Sequence, residues 1–72
     1  MTNKEFVRSI CPKASAQKRY DRDLVYYFIG DIEELDYWWK IPYCRGRAST
    51  EEESWGIIAN LIRKLTLEKL EL

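Results

Sequence analysis

Leu24-Val25-Tyr26-Tyr27-Phe28-Ile29 most constrains this chain, because every position in the run is apolar, aromatic or β-branched. Such a segment is the strongest strand signal in the chain. With apolar side chains on both faces, it reads as a central strand rather than an edge. Gly30-Asp31 ends it, and Asp21-Arg22-Asp23 before it is a turn-like polar triplet. Upstream, residues 14–20 alternate small or aromatic with polar side chains, the pattern of a half-buried strand. Downstream, Tyr37-Trp38-Trp39-Lys40-Ile41 has strand character until Pro42 limits pairing.

Two helices frame these strands. Thr2-Asn3-Lys4-Glu5 has the capping-box form, Phe6, Val7 and Ile10 give a narrow apolar stripe, and Pro12 stops the helix at or before Cys11. Thr50-Glu51-Glu52-Glu53 is a second capping box, with three acids on the positive end of a helix dipole. Trp55, Ile58, Ile62 and Leu65 follow on one stripe, with Leu61 and Ala59 beside it. Gly56 inside this helix suggests close packing against the sheet. The expectation is a single α+β domain over 1–72. It has a short N-terminal helix, a three-stranded antiparallel meander and a long C-terminal helix, with both helices on one face.

Composition narrows the function. The 72 residues carry 12 Lys+Arg against 12 Asp+Glu and no His, which removes the commonest general base and the commonest metal ligand. Cys11 and Cys44 lie far apart with no further ligands, so they read as reduced structural thiols, and neither a metal nor a cofactor is expected. The three glycines form no phosphate-binding spacing, and no nucleophile stands beside a base, so the reading is not an enzyme. No apolar run approaches the roughly 20 residues of a membrane span. Lys4, Glu5 and Arg8 break up the N-terminal apolar residues, so the expected location is the cytoplasm.

Binding remains. Alternation sends half of the strand aromatics to each face, and only one face can be covered by the helices. Trp38 and Trp39 are neighbours and must point oppositely. Tyr26 with the outward Trp, rimmed by the acidic residues Asp31, Glu33, Glu34 and Asp36, is the candidate partner-binding set. The alternative set is Lys18, Arg19, Arg22, Arg45 and Arg47, with Lys13 nearby, as contacts to nucleic acid. Zero net charge weighs against a polyanion partner, and self-association into a homodimer is a third option.

Pro12-Lys13-Ala14, Tyr26-Tyr27-Phe28-Ile29 and the stretch from Arg45-Gly46 through Thr50-Glu51 to Ser54-Trp55 resemble a class of very small phage and prophage proteins. Their pattern has Ala more often where Ser54 stands. The resemblance implies a phage accessory protein in the host cytoplasm that binds a host protein stoichiometrically. In some members the target is a defence system, as in anti-CRISPR proteins. It implies no functional residue, because the shared positions are cap, strand and packing Trp.

Overall fold

The computed structural model describes the backbone over 1–32 and 46–71, with side chains to 67. Its element order is α1 (Asn3–Ile10), β1 (Ser15–Asp21), β2 (Leu24–Gly30) and α2 (Glu51–Glu71). Both capping boxes form on their N-cap side. The Thr2 hydroxyl accepts from the Glu5 amide at 3.1 Å, and the Thr50 hydroxyl from the Glu53 amide at 3.2 Å. The α1 helix ends at Cys11, as Pro12 requires.

β1 and β2 form an antiparallel hairpin, running from Ser15 opposite Gly30 to Asp21 opposite Leu24. The turn is the two residues Arg22 and Asp23, one shorter than the polar triplet suggested, and Arg22 takes a left-handed φ of 57° to close it. On the other side of β2, Tyr27 and Ala48 exchange both backbone hydrogen bonds, at 2.8 and 2.9 Å. An antiparallel residue points its N–H and C=O to the same neighbour. Tyr27 therefore faces Ala48 with its backbone, and β2 has partners on both edges. The expected third strand over 37–41 lies outside the described residues, among which the sheet has two strands and this one bridge.

Alternation sorts the hairpin into two faces. Ala16, Lys18 and Tyr20 of β1 stand opposite Ile29, Tyr27 and Val25 of β2, and Ile29 is fully buried in the core. Gln17 and Arg19 stand opposite Phe28 and Tyr26 on the reverse face. The core is one cluster: Val7, Cys11, Ala14, Ile29, Ile32, Trp55, Ile58, Ala59 and Ile62. α2 packs on the strands, whereas α1 packs on α2 and not directly on β1 or β2. Two sequence expectations are corrected here. Ile10 is 44% exposed, because α1 turns Val7 inward and carries Ile10 past the edge of the core. Gly56 faces α1 rather than the sheet, since a Cβ there would meet only the Asn3 side chain, at 3.3 Å.

Ser54 links the layers. It is fully buried and donates its hydroxyl to the Tyr27 carbonyl at 2.9 Å. That carbonyl also accepts from the Ala48 amide, so deleting the Ser54 hydroxyl leaves no orphaned acceptor. Ser54→Ala is accordingly expected to cost about 1 kcal/mol, the lower side of what a buried hydroxyl can hold. A thermal melt would show this as a fall of about 4–8 °C.

Candidate functional site

The hairpin's reverse face gathers the most chemistry. Tyr26 and Phe28, two residues apart on β2, are half-buried with ring centroids 6.4 Å apart and planes tilted by 41°. Arg19, the register partner of Tyr26 on β1, holds its guanidinium 5.6 Å from the centre of the Phe28 ring. From the opposite edge Arg47 stacks over Tyr26 at 3.9 Å. Ala48 pairs with Tyr27, so its neighbour Arg47 turns to the face that carries Tyr26. The result is a row across the sheet: an arginine, two aromatic rings and a second arginine. Both arginines are exposed, and among the described residues neither has a carboxylate partner. Each cation–π contact of this kind contributes about 0.5–1 kcal/mol.

Gly46 fixes one end of that row. Its φ is 79°, it is buried, and a Cβ there would lie 2.9 Å from Ile58 Cγ1 and 3.0 Å from the Ser54 carbonyl oxygen. Only a residue without a side chain lets the backbone come this close to α2 and still deliver Arg47 to the rings.

The remaining sequence candidates are dispersed. Lys18 belongs to the other face, with its ammonium 5.5 Å from the Tyr20 ring and 5.9 Å from Tyr27. Hydrogen bonding to Tyr20, then electrostatic attraction to the Tyr20 and Tyr27 hydroxyl oxygens, holds its pKa above the ordinary 10.5. Arg22 sits at the hairpin tip, an end flanked by Asp21 and Asp23. Asp31 lies at the far end of β2 in a left-handed conformation (φ 58°), and its carbonyl accepts from the Cys11 thiol at 3.2 Å. It stands three residues beyond Phe28 and five beyond Tyr26, roughly 10 and 17 Å along the chain, at the opposite end of the aromatic pair from Tyr26. Trp38, Trp39, Glu33, Glu34, Asp36, Arg45 and Cys44 lie outside the described residues.

Sequence reasoning assigned Tyr26 to one candidate set and Arg19 and Arg47 to another, and the fold puts all three together. It passed over Phe28 as a site residue, although the two-residue spacing from Tyr26 already placed both rings on one face.

A second concavity, about 570 Å³ and open, lies where the two helices begin, between Met1, Lys4, Glu51, Glu52 and Trp55. Its Glu51 carboxylate accepts from Trp55 Nε1 at 3.2 Å and lies 4.0 Å from Lys4 Nζ. Only the second of these contacts crosses from α2 to α1, and it is a half-exposed pair. Among the described residues no group of three His, Cys, Asp or Glu side chains is placed to hold a metal. No described helix is long and apolar enough to cross a membrane. Comparison with family models, curated proteins and solved structures finds no match to the chain.

Proposed function

We propose that this is a non-enzymatic binding protein, which docks a partner protein on the hairpin face carrying Tyr26 and Phe28 and thereby inhibits or redirects it. On the resemblance to small phage proteins that partner is a host protein, and a defence component is the natural candidate. The observation that carries the reading is the Arg47–Tyr26 stack at 3.9 Å beside a second arginine–aromatic pair. Tyr and Arg are the side chains enriched at binding hot spots, and here they are pre-ordered on a strand rather than on a loop. Nucleic acid is the weaker reading. Lys18 turns to the opposite face and Arg22 to the tip, so the described basic candidates do not form the continuous track a phosphate backbone needs.

A pull-down from bacterial lysate, with and without nuclease treatment, tests this, comparing the wild-type chain with Tyr26→Ser and with the control Tyr20→Ser, exposed on the opposite face of the hairpin. A protein recovered stoichiometrically by wild type and control should bind Tyr26→Ser about thirtyfold more weakly, the equivalent of a hot spot of about 2 kcal/mol. Equal recovery by all three folded chains would remove this face from the interface. Recovery that vanishes with nuclease treatment would favour nucleic acid instead.

A further inference from the structure

Arg19 and Arg47 are the charges that flank the aromatic pair, both are exposed, and among the described residues neither is neutralised by an acid. Among the described residues this face carries those two arginines and one acid, Asp21, two residues beyond Arg19 at its tip end, so the charge beside the aromatic pair is positive. The other described acids are elsewhere: Asp23 in the turn, Asp31 beyond the far end of β2, Glu5 on α1, and Glu51, Glu52 and Glu53 at the start of α2. A guanidinium lying over a ring uses its face for the ring and keeps its N–H edge free to donate in a fork. Two such forks border a half-buried apolar centre.

We infer that this face takes an acidic protein segment, with Arg19 and Arg47 each gripping a carboxylate and an apolar side chain of the segment resting on Tyr26 and Phe28. The inference rests on the protein-binding reading above and names the chemistry of the partner's contact surface. A carboxylate pair fits better than a nucleic-acid strand because the positive charge here is local. A polyanion following the hairpin would run from Arg19 onto Asp21 and Asp23 within a few residues, whereas a short acidic segment need not extend that far.

The test is an amide chemical-shift titration of the full chain with a short poly-L-glutamate peptide, and in parallel with an oligothymidylate of the same length. The glutamate peptide should move the amides of Gln17, Arg19, Tyr26, Phe28 and Arg47, and its affinity should fall as salt is raised. Arg19→Gln with Arg47→Gln should weaken binding roughly tenfold in a chain that still unfolds cooperatively. Arg47→Lys, which keeps the charge but not the flat fork, should recover only part of it.

Shifts clustered elsewhere, such as around Lys4 or Lys64, would overturn the inference, as would binding indifferent to the arginines, tighter binding of the oligothymidylate, or no binding of either probe. The double variant also separates the two readings in the pull-down. A protein that is lost with Tyr26→Ser but held fully by the double Gln variant leaves the face as the interface and removes the acidic segment. A protein held equally by both variants removes both.

Discussion

Trp55→Ala is expected to remove a large part of the folding stability of this chain. The indole is 3% exposed, one turn into α2, where it packs in the core cluster. Truncating a buried aromatic to Ala removes its transfer free energy and leaves a cavity, together about 3–5 kcal/mol. At about 0.05–0.15 kcal/mol per residue, a 72-residue domain holds roughly 4–11 kcal/mol in total. The loss is therefore a large share of the whole. Trp55 also donates Nε1 to Glu51, a hydrogen bond that the mutation removes. Far-ultraviolet circular dichroism and a urea titration would read the effect. A variant that unfolds cooperatively near the wild-type midpoint would place Trp55 outside the core.

What could be read in advance follows the range of the interactions. Helix starts are set by residues three apart, so Thr2 with Glu5 and Thr50 with Glu53 were legible directly. The strand at Leu24 declared itself because its side chains permit little else, and α2 because its apolar stripe keeps one period. The functional face was only half legible. Alternation put Tyr26 on a single face, yet nothing local says that Arg47, distant in sequence, arrives over its ring. That placement depends on one bridge, Tyr27 to Ala48, and on the close approach at Gly46. The rim expected of Asp31 belongs to a patch with the outward one of Trp38 and Trp39, which lie outside the described residues; Asp31 itself follows the end of β2 and accepts from the Cys11 thiol. Ser54 carried a weak signal, a small polar residue just before the packing Trp, but its bond to Tyr27 requires the folded layers.

Gly46→Ala should produce the second large loss, and it should damage stability and the candidate site together. Two terms add. A φ of 79° is left-handed backbone, which costs a residue with a Cβ about 1–2 kcal/mol. The new methyl would press on Ile58 Cγ1 at 2.9 Å and on the Ser54 carbonyl oxygen at 3.0 Å. Ile58 is fully buried and the carbonyl is helix backbone, so neither neighbour can yield cheaply, and overpacking of this kind adds about 1–3 kcal/mol. The expected total is about 2–5 kcal/mol. Gly56→Ala is the control, because its Cβ meets only the Asn3 side chain and alanine is favoured within a helix by up to about 1 kcal/mol. That variant should melt at or slightly above the wild-type temperature. Residue 46 also delivers Arg47 to Tyr26, so in whatever fraction of Gly46→Ala stays folded the guanidinium should leave the ring. The Tyr26 ring protons would then shift toward those of an Arg47→Ala variant. If Gly46→Ala melts like wild type with the Tyr26 resonances unmoved, the close approach of residue 46 to α2 is not what seats Arg47. The face would then owe its order to the hairpin alone.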